Sequence, residues 1–175
     1  MPNLTKFFEG YTPKVFQERG GRKAVPTVGS GINVAEPHNV KLLPKDVVSG
    51  KRAITEQENQ VAFMANRAIA EEDARNFVGK GYDSLDEDAR EVVVDMHFNM
   101  GAPRMKKFKG FRKAIKSGDF DRAAEELRYS NADTKKKETP YYKQTKRRAK
   151  AHYDTLKNIK NKLLEAEMLR QLGGE

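Results

Sequence analysis

In the run FFEGYTPKVFQE, residues 7–18, two carboxylates nine residues apart have opposite local settings. Glu9 closes a short apolar segment with helical periodicity. The negative end of the backbone dipole and the neighbouring phenylalanines both disfavour its ionised form. Glu18 precedes RGGRK, whose cations favour a carboxylate. A carboxyl held protonated near one held ionised is the pairing that cleaves a glycosidic bond, the first as acid and the second as base or nucleophile. The spacing by itself is equally that of two surface charges. Other chemistries find less to work with. GSG at 29–31 lacks the lysine and the length of a phosphate-binding loop. His38, His97 and His152 are far apart and show no metal-ligand spacing, and His97 in its apolar run reads as a structural residue. No serine lies in a nucleophile elbow, and the chain has no cysteine, so neither thiolate chemistry nor a disulfide framework is available.

The elements that must position the two acids follow from periodicity. NLTKFFEG places Leu4, Phe7 and Phe8 on one helical face, and Gly10 stops the helix. KVFQERGGRKAVPTVGSGINV, residues 14–34, predicts strands punctuated by glycine turns, with Pro26 on an edge or a bulge. Residues 35–53, with two prolines, read as loop or short strand. At TEQE, residues 55–58, Thr55 and Glu58 form a capping box. A long helix follows to about Val78, with Val61, Met64, Ala65, Ala68 and Ile69 as its inward stripe and Gly79 and Gly81 as its stop. A second helix opens at Ser84 as cap and buries Ala89, Val92, Val93, Met96 and Met100. Further helices are predicted over FKGFRKAIKSG, DFDRAAEELRYS, and from near Thr145 towards Leu172. The expected architecture is α+β with helix dominant. It has an N-terminal lobe over about 10–55, a connecting helix over about 56–79 and a helical lobe over about 82–175. A cleft between two lobes is the default ligand site.

Glu-Gly at 9–10, VFQE at 15–18 and PTVGSGINV at 26–34 resemble the catalytic opening of the phage-type lysozymes, glycoside hydrolase family 24. The resemblance continues in YDSLDEDAREVVVDMHFNMG at 82–101 and in QTKRRAKAHYDTL at 144–156, in the family's order and over about 150 residues. It implies a lysozyme-like fold and hydrolysis, without a cofactor, of the β-1,4 link between N-acetylmuramic acid and N-acetylglucosamine in peptidoglycan. Carried over residue by residue, the general acid falls on Glu9 and the water-positioning acid on Glu18. The hairpin threonine that helps hold the water falls on Thr27. Gly29, Ser30 and Gly31 would lie along the sugar, and Phe98 and Asn99 would line the opposite wall. The arginine facing the catalytic glutamate falls on Arg148. Two departures stand out: the second acid is a glutamate where the family usually has aspartate, and eight residues separate Glu18 from Thr27, a longer turn than usual. Inversion needs room for a water between carboxyls roughly 6.5 to 9.5 Å apart, and a longer side chain on a longer turn bears on that outcome.

The net charge is +9, and between Lys135 and Lys162 eleven Lys or Arg residues face two acids, Glu138 and Asp154. That face suits an anionic wall polymer or membrane surface, or is simply a solvated helix face. Tyr141, Tyr142 and Tyr153 offer stacking, but no nucleic-acid motif accompanies them, and no nucleic-acid partner is expected. The opening residues lack the apolar core of a signal peptide and nothing approaches a membrane span, so the expectation is a soluble monomer. The resemblance implies that it is made in the host bacterial cytoplasm and reaches the wall by release or delivery. From Leu156 onward the chain extends past the resemblance, with Ile159, Leu163 and Ala166 expected to pack on the body rather than to mediate a dimer or meet a membrane surface. A lysozyme-fold protein that binds walls or serves in a virion without activity is the rival reading.

Overall fold

Alternation of apolar and polar residues over VFQE and AVPTVG is what a half-buried ladder requires, and these segments pair. The structure, a computed structural model, describes residues 5, 8–20 and 23–172; side chains at 18–20 and 23–24 lie outside that description. Strand β1 (Thr12–Gly20) runs antiparallel to β2 (Lys23–Gly29), which pairs in turn with the short β3 (Ile32–Asn33). Phe16 opposes Thr27 and Glu18 opposes Val25, with a register irregularity between Thr12 and Phe16. Pro26 lies in the middle strand rather than on an edge. Its carbonyl accepts from Val34 N at 2.9 Å, just past the end of β3. The missing proline N–H faces that same side, so the ladder to β1 loses no donor.

The two prolines of the following segment start helices where loop was predicted. Pro37 is the first residue of α1 (Pro37–Leu42), and Pro44 caps α2 (Lys45–Val48). Proline's fixed φ and missing N–H suit a first helical turn, whose amides have no intrahelical acceptor. Asn39 of α1, fully buried, donates to Asn33 O at 2.9 Å and accepts from Asn66 Nδ2 at 2.7 Å. Val28, Ile32, Val34, Leu43, Val47, Ile54 and Ala62 form the apolar core beneath the sheet.

The capping box forms as expected: Thr55 N donates to Glu58 Oε2 at 2.9 Å and Glu58 N to Thr55 Oγ1 at 3.2 Å. Helix α3 (Glu56–Val78) follows and ends at Gly79, whose φ of +84° favours glycine. Its buried stripe is Ala62, Phe63, Ala70, Ala74 and Phe77, while Val61, Met64 and Ile69 are exposed, the reverse of the predicted face. Apolar residues occupy more than one face of this helix, and periodicity cannot choose between them.

Helix α4 (Glu87–Met100) is capped by Asp86, whose carboxylate accepts from Asp88 N and Ala89 N; Ser84 instead turns back to Gly81 O. The remaining helices are α5 (Ala102–Met105), α6 (Lys109–Lys116), α7 (Phe120–Arg128), α8 (Pro140–Thr145) and α9 (Arg147–Leu172). Helix α9 packs against α4 and α7, and α6 against α7. Leu156 and Ile159 are fully buried, worth about 1.5–3 kcal/mol each in transfer free energy. Beyond Ile159 the helix is exposed: Leu163 is 55% and Leu169 70% accessible, so the expected packing of Leu163 and Ala166 does not occur. The chain divides into two compact units, Pro2–Ile69 and Ala70–Glu175. A small three-stranded antiparallel sheet followed by a mostly helical body is the α+β, lysozyme-like architecture read from the sequence.

Candidate active site

Leu4 and Phe7 of the predicted first helix lie outside the described residues. Thr5 and Phe8 are helical, and Glu9 N donates to Thr5 O at 3.0 Å, so Glu9 is tied into that turn. Its half-buried side chain lies against Gly31 in the turn between β2 and β3. A Cβ placed on Gly31, whose φ is +75°, would stand 2.2 Å from Glu9 Oε2 and 2.9 Å from its Cδ. Only glycine lets the carboxylate approach the backbone this closely. The turn is held from its other side by α3. Ser30 N donates to Asn59 Oδ1 at 2.8 Å, and Asn59 Nδ2 donates to Ser30 Oγ at 3.2 Å. A Cβ on Gly29 would meet that Oδ1 at 2.1 Å.

Asn59 sits in the first turns of α3, where the start of the helix is braced by charge. Arg52 makes a two-pronged bond to Glu58, Nη1 to Oε2 at 2.9 Å and Nη2 to Oε1 at 2.6 Å. These bonds, with the Thr55 amide, hold the Glu58 carboxyl down at about 2. Thus Gly29, Ser30 and Gly31 are fixed between a glutamate and an asparagine. Asn59 was not visible as a site residue in the sequence; it lies one residue past the capping box, with no motif of its own.

Thr27 is buried, and its hydroxyl donates to Val25 O at 3.1 Å. The β1–β2 register puts positions 18 and 27 on one face of the ladder, since Glu18 opposes Val25 and Thr27 opposes Phe16. The Glu18 side chain itself lies outside the described atoms.

The other candidates belong to the helical unit. Phe98 and Asn99 occupy the last turn of α4, the first half-buried and the second exposed. Arg148 is the second residue of α9 and is buried, with Nε 3.2 Å from Asp95 Oδ2. One turn later His152 Nε2 reaches the same oxygen at 2.7 Å, and Tyr141 Oη lies 3.0 Å from His152 Nδ1. Burial pushes the Tyr141 phenol well above its usual range, so it stays protonated and can donate to Nδ1. His152 then donates from Nε2 to Asp95, and one carboxylate binds both the imidazole and the guanidinium. A signal for this cluster existed in VVVDMH: a lone aspartate inside an apolar helical run must find a buried partner. His152 is therefore part of the Arg148 setting rather than an isolated histidine.

Chemically, the N-terminal unit offers a carboxyl group against a glycine-flanked turn with a hydroxyl-bearing strand beside it, and the helical unit offers a guanidinium held on a carboxylate. No curated protein matches the chain. The family model described as phage lysozyme matches residues 6–151, a span that includes Glu9, Glu18, Thr27, the hairpin, α4 and Arg148. A match over so much of the chain, on this fold, settles the family: the protein belongs to the phage lysozymes.

Proposed function

We propose that the protein is an N-acetylmuramidase in which Glu9 is the general acid. Membership of the phage lysozymes supports peptidoglycan hydrolysis in general and peptidoglycan as the substrate; the bond and the residue roles are our reading. Glu9 gives its proton to the oxygen of the β-1,4 glycosidic bond as the bond to the anomeric carbon breaks. Glu18, with Thr27, holds a water on the opposite face and takes its proton as it attacks. Arg148 orients the Glu9 carboxyl, Gly29 to Gly31 follow the sugar, and Phe98 and Asn99 form the facing wall. The protein works as a monomer, made in the host cytoplasm and acting on the wall after release or delivery. Its 135–162 face meets anionic wall or membrane.

The observation that supports this reading best is the approach of the Glu9 carboxylate to Gly31, in a turn clamped by Asn59. An acid held against a clamped turn whose outer residues are both glycine can approach a sugar lying along that turn. The test is release of reducing ends from purified peptidoglycan by wild type and Glu9→Gln. Release by wild type alone is the expected result. Equal release by both removes Glu9 from the acid role, and wall binding without release from either favours the inactive, wall-binding alternative.

A further inference from the structure

Several cations of the basic C-terminal face are neutralised locally. Lys135 pairs with Glu125, Lys150 with Asp154, Lys157 with Asp121 and Glu125, and Lys162 with Asp88. The stretch KKFKGFRKAIK, residues 106–116, is different: six cations in eleven residues and no acid. Five of them, Lys106, Lys109, Arg112, Lys113 and Lys116, line one groove of about 840 Å³ in the helical unit. Among the described residues none of the five pairs with a carboxylate, and Asp73 is the single acid lining the groove.

The cations are arranged in a row. Lys109, Lys113 and Lys116 follow one another at i, i+4 and i+7 on α6, a line roughly 10 Å long at 1.5 Å per residue. Arg112 is fixed in place. Its Nε donates to Phe77 O at 2.5 Å, its guanidinium lies 5.5 Å from the Phe77 ring centre, and the residue lines the groove. Repulsion among five unneutralised charges is relieved by a linear anion with repeated charges.

We infer that this groove binds a phosphodiester polymer of the polyol-phosphate type, such as poly(glycerol phosphate) of a bacterial envelope. The envelope as its source rests on the peptidoglycan reading above; the phosphodiester chemistry does not. The groove has aromatic walls but no ring face for a base. Phe77 is 8% and His97 3% accessible, His97 meets Phe77 edge-on at 5.1 Å, and Arg112 lies over Phe77. Single-stranded nucleic acid depends on stacking that these rings do not offer.

The test is direct binding of the intact protein to poly(glycerol phosphate) across a salt series, which requires no catalysis. Failure here therefore leaves the muramidase reading untouched, and the reverse holds too. The variant Lys109→Gln/Lys113→Gln/Lys116→Gln, at three exposed positions, is expected to bind at least about tenfold more weakly. Its salt slope should be shallower by about 2, at about 0.7 for each phosphate no longer neutralised. Lys41→Gln/Lys45→Gln/Lys51→Gln removes the same charge at exposed positions of the N-terminal unit and should keep wild-type binding within about twofold. If the first variant does not melt cooperatively, Lys113→Gln alone carries the test, with a slope shallower by about 0.7. Equal losses in both triple variants would reduce the groove to net charge and overturn the proposal. So would tighter binding to oligothymidylate of equal phosphate number, or no binding by wild type.

Discussion

Glu9 and Gly31 constrain each other. An alanine methyl at Gly31 cannot coexist with a carboxylate oxygen 2.2 Å away, so the acid must swing off the turn or the turn must open. The φ of +75° adds a backbone cost of roughly 1–2 kcal/mol for any L side chain. Gly31→Ala is therefore expected to cut peptidoglycan hydrolysis about a hundredfold, the penalty of a misplaced catalytic group, while the protein still folds. Initial rates of reducing-end release against a thermal melt of the same preparation separate the two effects. Glu9→Gln should instead lose about 10² to 10⁴ in rate with an unchanged melt, since it deletes a proton and almost no volume. Both residues were legible in the sequence through Glu-Gly and Gly-Ser-Gly. What the sequence concealed is that they touch, because proximity between residues so far apart along the chain depends on how the chain returns. Asn59 was hidden for the same reason.

At the level of elements, local chemistry was readable and choice of face was not. The Thr55–Glu58 box, the Gly79 stop and the buried stripe of α4 depend on neighbours a few residues away, and they form as expected but for Met100, which is half-buried. The face of α3 and the fate of α9 depend on what the rest of the fold supplies, and neighbouring residues alone cannot specify them. The prolines of α1 and α2 mislead differently: proline in a polar stretch reads as a breaker, yet each of these begins a helix. Two expectations belong to this scale. Asn59→Ala strips the hairpin turn of its clamp and leaves the Ser30 amide without that acceptor, a loss of about 1–3 kcal/mol read from urea denaturation. Truncation after Lys162 removes only exposed turns of α9 and keeps Leu156, Ile159 and the Lys162–Asp88 pair. Stability should then change by no more than about 0.5 kcal/mol by the same measurement. A larger loss would mean that the exposed leucines have a partner in solution.

Across the whole molecule, acid should act at several places, and His97 and Glu58 separate two of them by pH. His97 is buried against Phe77, and burial is what lowers its pKa below the ordinary 6.5; its bond to Val93 O and the charge of Asp73 oppose the shift without cancelling it. The folded protein then binds fewer protons at this site than the unfolded chain does. His97 consequently contributes stability that is complete above pH 6.5 and is lost as pH falls through its folded value. Glu58 has the same sign at lower pH. The bonds from Arg52, then that from the Thr55 amide, lower it from 4.5 to about 2, so its contribution is complete above 4.5 and disappears as pH approaches 2. Arg52, Thr55 and Glu58 brace the start of α3 beside Asn59, whereas His97 lies in α4. The two losses should thus be separable by substitution. Urea midpoints measured from about pH 8 to about pH 3 should fall first below 6.5 and again below 4.5. His97→Gln should flatten the first decline and leave the second, and Glu58→Gln should do the opposite. A His97→Gln profile parallel to wild type from pH 6.5 down to about 5 would show that the buried imidazole is not what limits stability in mild acid.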